Sequence, residues 1–301
     1  MKYKRFALFT WVVLGWNLLV ILWGAYVRAT GSGAGCGQHW PLCNGEILPR
    51  TPGQETAIEF THRFLSGIDI LLVAVMLVWG LRIAAQGHPL RKGLFASGFF
   101  LVLEALLGAG LVLFELTAGN SSMARAIAVA LHLANTFLLL ASLTMTAYWA
   151  SGGKPIQVEG RSGKTWLLAA GLLGMILIGM SGAVTALGDT LFPAGSLAEG
   201  IAQELDKNAH FLIRLRVYHP IIAVLVAAYS LYLIRTLYEK THDLARKLLL
   251  WLTVAGFLQL TAGLVNLVLL APIFMQIIHL LTADLTWILY ISTTAALLAK
   301  E

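Results

Sequence analysis

The chain has 301 residues, of which 58% are hydrophobic and only 12% charged, and 29 glycines are spread through its apolar runs. That balance excludes a soluble class and marks an integral membrane protein whose first partner is the lipid bilayer. The net charge of +6 reads as topological charge in the loops, so no nucleic acid partner is expected.

A helix needs roughly 20 apolar residues to cross the hydrocarbon. Eight stretches qualify, at about 8–27, 64–81, 94–114, 127–149, 166–187, 217–234, 248–270 and 274–298. The first follows Lys2, Lys4 and Arg5, as a signal peptide would. Its run is longer than a signal h-region and no small-residue cleavage site follows closely, so it is expected to remain as a helix. Gly35-Cys36 lies too far beyond that run for a lipoprotein cleavage site.

After the first span comes a polar loop, 28–62, that holds the only two cysteines, Cys36 and Cys43, in "TGSGAGCGQHWPLCNG". In an oxidising compartment such a pair most simply forms a disulfide, either as a plain staple or as a thiol pair that cycles during function. Zinc would lack a fourth ligand even with His39, and the C-x-x-C-H of a covalent haem is absent.

The segment 151–165 is the most linker-like and divides the chain into 1–150 and 166–301, four spans each. The halves echo one another. "LEALLGAGLV" at 103–112 resembles "LQLTAGLV" at 258–265, setting Glu104 against Gln259, and "ALHLANTFLLL" at 130–140 resembles "IIHLLTADLTW" at 277–287. The expected fold is all-α, with eight transmembrane helices in two pseudo-symmetric four-helix bundles; an even number of helices per half makes the repeats parallel. Seven of the 21 Lys and Arg (Arg28, Arg50, Arg63, Arg125, Lys207, Arg214 and Arg216) fall on the side of the long loops 28–62 and 188–213. The other fourteen lie on the opposite side, which predicts both termini cytoplasmic.

Four of the eight histidines, His62, His132, His219 and His279, lie in the even-numbered spans, each within two turns of the outer end. One histidine in a membrane helix is commonly a hydrogen-bonded packing residue, but four in register at membrane depth point to function. Facing histidines in a four-helix unit are a way to hold haem iron, and the lack of thiolates at that depth disfavours zinc. Arg63, Arg125, Arg214 and Arg216 lie on the same side as candidate partners for haem propionates, with interfacial anchoring as the plainer alternative. His39 has no assigned role, and His88, His210 and His242 fall outside the spans and are not expected to be ligands.

Glu59 precedes His62 by three residues, so a helix reaching back that far would put both on one face, with the carboxylate beside a haem edge. The alternative is an i,i+4 ion pair with Arg63. At the matching place in the second half stands Arg216, so the two sites should differ chemically, one reacting and one transferring electrons. Glu104 is an intramembrane carboxylate for which the sequence leaves two roles open: a helix–helix hydrogen bond or a place near the substrate.

The combination "GAYVRATGSGAGCGQHWPLCNG" at 24–45, "EFTHR" at 59–63, "ALHLANT" at 130–136, "HFLIRLRVYHP" at 210–220 and "IIHLL" at 277–281 resembles the haem A synthase family over nearly the whole chain. The resemblance implies oxidation of the C8 methyl group of haem O to a formyl group, giving haem A for terminal oxidases, in a bacterial-type cell membrane. It carries the substrate-haem ligands over to His62 and His132 and the ligands of a haem B cofactor to His219 and His279. The essential family glutamate falls on Glu59 and the outer-loop cysteine pair on Cys36 and Cys43. Haem O synthase, an electron-transfer partner and a second copy of the chain are the partners it suggests. Two other classes use the same histidines: a quinol-linked bis-haem electron carrier, which would not need Glu59, and a haem transporter or chaperone, which would oxidise nothing. The chain has no G-x-G-x-x-G to suggest a direct nicotinamide partner.

Overall fold

The computed structural model describes residues 2–158, 162–239 and 241–299. Positions 159–161 of the expected linker, and with them Arg161, Lys240 and Lys300 from the charge count, lie outside the described residues. The elements are α1 (Lys2–Ala29), α2 (Gln54–Ile83), α3 (Pro89–Leu113), α4 (Met123–Ala150), α5 (Ser162–Leu191), α6 (Leu197–Leu205), α7 (Phe211–Leu215), α8 (Tyr218–Tyr238), α9 (Asp243–Val268) and α10 (Ile273–Leu298). Among the described residues there is no strand, only isolated bridges, and eight crossings are long and apolar enough to span a membrane. The protein is a multi-pass, all-helical membrane protein.

Most helices run past the apolar stretches that announce them. An apolar run marks the thickness of the hydrocarbon, about 30 Å, whereas α2 has 30 residues, about 45 Å at 1.5 Å per residue. Its first two turns, from Gln54, are polar and stand in what the sequence reads as loop. That extension puts Glu59 and His62 inside the helix.

Two further departures occur in the second half. The sixth crossing is broken into α7 and α8. Pro220 has no N–H to offer the carbonyl of Arg216, which instead accepts a tighter bond from His219 N at 3.2 Å. The loop 188–213 also contains α6, which begins with Ser196-Leu-Ala-Glu199: Ser196 Oγ accepts from Glu199 N, and Glu199 Oε2 accepts from Gly195 N. This is a variant of the Ser-x-x-Glu capping box.

Three of the remaining histidines serve as caps. His88, His210 and His242 accept from the first-turn N–H groups of α3, α7 and α9 through Nδ1.

Helices α1 to α4 pack pairwise around one apolar core and α5, α8, α9 and α10 around another; α4, α5, α10 and α1 meet along the seam between them. The first core is filled by Phe6, Met76, Leu94 and Leu143, the second by Leu168, Leu233, Leu249 and Tyr290. Trp287 of α10 crosses the seam to stack on Phe137 of α4 at 4.9 Å and donates to its carbonyl at 2.6 Å. Large apolar side chains such as Phe95, Phe99, Leu225, Phe257 and Leu264 cover the perimeter, as a lipid-facing surface requires.

The linker docks at the end of the last helix, with Gln157 N donating to Leu298 O at 2.8 Å. Tyr3 OH reaches Ile83 O and Trp11 Nε1 reaches Ser151 Oγ. The start of α1, the ends of α2, α4 and α10 and the linker therefore share one face of the molecule.

Candidate functional site

The four histidines of the spans are all half-buried, and each lies against a glycine of a neighbouring helix. A Cβ added at Gly24 would come within 2.9 Å of His62 Cε1, at Gly182 within 3.0 Å of His219 Cε1, and at Gly263 within 2.9 Å of His279 Cε1. At Gly108 the distance to His132 Cε1 is 3.8 Å, an ordinary contact. Backbone presses on three of the imidazoles where any side chain would displace them.

His219 of α8 and His279 of α10 face one another with ring centroids 6.4 Å apart and planes at 84°. A metal bonded to one nitrogen of each ring at about 2.0–2.1 Å sets the centroids at most a little over about 6 Å apart, so these two residues could hold one metal between them. His219 Nδ1 is 3.0 Å from Ser181 Oγ, a partner that orients the ring and leaves Nε2 for a ligand bond. His279 Nδ1 is buried without a partner, and its Nε2 lies 3.4 Å from Gln259 Nε2. The amide oxygen of Gln259 accepts from the Thr282 hydroxyl.

In the first half, the Nδ1 atoms of His62 and His132 are each buried without a partner. Orphaned imidazole nitrogens inside a membrane protein are costly unless something binds them. His132 Nε2 is 3.5 Å from Glu104 Oε1. Glu104, on α3, also accepts from Thr136 Oγ1 and Asn135 Nδ2, each at 2.5 Å. The role left open for Glu104 thus includes a helix–helix bond and a contact with one of the four histidines. Among the described residues no three His, Cys, Asp or Glu converge as a site for a bare metal ion.

Glu59 is 3% exposed, and both its oxygens are engaged. Oε1 accepts from Arg63 Nη2 at 2.5 Å and Nε at 3.1 Å, and Oε2 accepts from Cys36 N at 2.8 Å. The i,i+4 pair with Arg63 is therefore present, and the outer loop is bonded to it. Cys36 and Cys43 form a disulfide. Arg63 Nη1 donates to the carbonyls of His39, at 2.8 Å, and Leu42 within the loop so closed. Gly35 lets the loop lie on α2, since a Cβ there would sit 2.5 Å from the backbone of Glu55 and Thr56.

The other arginines singled out in the sequence are placed differently from one another. Arg125 is buried and donates from Nη1 to the carbonyls of Ala118 and Asn120 at 2.5 and 2.7 Å. Arg216 is buried against Asp189 Oδ1, 3.1 Å from Nε, and donates from Nη2 to Gly188 O and Phe192 O. Arg214 is exposed, with one long bond to Lys207 O.

Arg28, read in the sequence only as a loop charge, reaches across the seam: Nη1 donates to Ala186 O and Thr190 Oγ1 of α5, and Nη2 to Gln276 Oε1 of α10. Its place within "GAYVRATGSG", after a glycine that supports His62, is the one signal the sequence offers. Asp189, which holds Arg216, had no signal beyond lying near the end of an apolar run.

A family model described as cytochrome oxidase assembly protein, COX15-CtaA, matches residues 7–291. The chain belongs to that family. Among COX15-CtaA relatives, a heme A synthase from Exiguobacterium sp. is 30% identical over 234 residues, 77% of this chain and 73% of that protein. One from Shouchella clausii is 41% identical over 128 residues, 42% of this chain and 40% of its own. A Thermus thermophilus protein named protoheme IX farnesyltransferase is 50% identical over 301 residues, 99% of this chain but 49% of the relative. The chain spans about half the length of the Thermus relatives that it matches.

Proposed function

We propose that this chain is a haem A synthase that oxidises the C8 methyl group of haem O to a formyl group, with a haem B cofactor in its second half. The facing pair His219 and His279, 6.4 Å apart at the rings, carries the reading, because that spacing suits a bis-histidine haem. The names of the relatives from Exiguobacterium and Shouchella support the reaction. The name of the Thermus relatives supports the partner: prenylation of protohaem yields a farnesylated haem, the class of substrate required here. Both termini are assigned to the cytoplasm on the charge count, which puts the disulfide loop and the four histidines toward the outer face.

His219 and His279 would hold the haem B iron, and that group, when bound, supplies one-electron redox chemistry. His62 and His132 would ligate the substrate haem from α2 and α4. Glu59 lies one turn before His62, and its carboxylate is fixed by Arg63 and the Cys36 N–H. Oxidation of a methyl group on a conjugated ring builds positive character at that carbon, which a fixed carboxylate can stabilise or relieve by accepting a proton. The disulfide loop and Arg63 hold that carboxylate still. Arg125, Arg214 and Arg216 retain N–H donors for propionates at the outer end.

The deciding experiment purifies the full chain in detergent from cells that supply haem O, then extracts the haems and identifies them by chromatography and mass. Haem B together with haem O and its hydroxylated or formylated products is expected. Haem B alone with haem O unchanged would instead assign an electron carrier, and farnesylation of protohaem by the isolated chain would move the transferase name of the Thermus relatives onto this half.

A further inference from the structure

The contacts at His132 and His279 are alike in position and differ in charge. On α3, Glu104 stands 3.5 Å from His132 Nε2, and on α9, Gln259 stands 3.4 Å from His279 Nε2. Each side chain is also tied to a hydroxyl one turn further along the histidine's helix, Thr136 for Glu104 and Thr282 for Gln259. They differ in a carboxylate against a neutral amide, and in a further bond that Glu104 accepts from Asn135 Nδ2.

A carboxylate touching a ligand histidine raises the electron density that the ligand gives its iron, and a negative charge in a low-dielectric interior favours the ferric over the ferrous state. An amide does neither. We infer that Glu104 is a positioning residue that holds the haem of the first half at a lower reduction potential than the haem of the second, where Gln259 leaves the potential higher. With both haems bound, an electron would pass from the first site to the second, one iron going from ferrous to ferric and the other from ferric to ferrous, with no proton or atom transferred. The inference rests on the two-haem reading above and gives the two halves a direction.

The test is a spectroelectrochemical titration of the purified chain loaded with both haems, after haem stoichiometry is measured. His62→Ala and His219→Ala, each expected to leave one haem, assign each midpoint to its site. Glu104→Gln is expected to raise the first-site midpoint by about a tenfold change in the one-electron equilibrium, ~59 mV, and to leave the other in place. Gln259→Glu is expected to lower the second-site midpoint and narrow the gap from the other side. Full haem content with neither midpoint moved, or with the wrong one moved in Glu104→Gln, overturns the inference while the two-haem reading stands. A single haem in the unaltered chain overturns both, and the stoichiometry alone distinguishes that case.

Discussion

The two halves hold their histidines in similar settings and surround them with different chemistry. In the first half, His62 and His132 each have a carboxylate nearby: buried Glu59 one turn before the first and half-buried Glu104 3.5 Å from the second. A disulfide loop clamps Glu59 from outside. In the second half, the corresponding residues are Arg216 and Gln259, and no cysteine is present. There the break between α7 and α8 is pinned by Arg216 to Asp189 and to the end of α5. Carboxylates favour a site where positive charge develops, and neutral or cationic surroundings favour one that only holds and passes an electron. The comparison teaches that two sets of four helices with histidines in similar settings can differ sharply in the charge placed around them, which is the difference the proposed division of roles depends on.

The sharpest break of that comparison is removal of a ligand. His219→Ala or His279→Ala is expected to abolish haem B in the purified protein while the first-half haem remains, as read by extraction and absorbance; full haem B content in either would refute the assignment. Next in size is Glu59→Ala. Haem content should stay near normal and product formation should fall by about 10²-fold or more, measured as haem A formed per bound haem; normal turnover would remove Glu59 from the chemistry and leave it as a clamp for the loop.

The glycines sharpen the comparison within each half. Gly263→Ala and Gly182→Ala put a Cβ about 3 Å from His279 and His219 and, on the proposed reading, should lower haem B occupancy several-fold, as Gly24→Ala should lower first-site occupancy. Gly108→Ala, where the gap is 3.8 Å, should bind haem nearly as the unaltered chain does. Equal losses at Gly108 and Gly263 would show that helix packing, not imidazole support, decides occupancy. The smallest effect is expected at the staple. Cys36→Ser with Cys43→Ser should cost about 2–3 kcal/mol by loop entropy, lower the thermal midpoint and reduce turnover, with the haem B absorbance at room temperature unchanged. Loss of haem B in that variant would mean that the loop supports both halves.

Much of this was legible in the chain. Eight apolar runs of membrane length, turn residues between them and the asymmetry of Lys and Arg carry the fold, because in lipid every backbone polar group must be satisfied within a helix. The four histidines stood out because ionisable groups are rare in apolar runs of that length, and the cysteine pair because it is the only one. Helix α6 was missed although its Ser196-x-x-Glu199 signal is local, since nine residues in a polar loop carry no span-length pattern. Arg28, Asp189 and the choice of partner for Glu104 were not legible. Each depends on which helices meet between segments far apart in the sequence, up to 248 positions for Arg28 and Gln276, and on a rotation about each helix axis that hydropathy leaves free where nearly every face is apolar. The sequence by itself determined the crossings, the placement of the histidines within them and the difference between Glu104 and Gln259. Only the tertiary structure decided that His219 and His279 face one another, that Glu59 is bound on both oxygens and that Arg28 ties the halves together, because those facts arise from packing between distant segments.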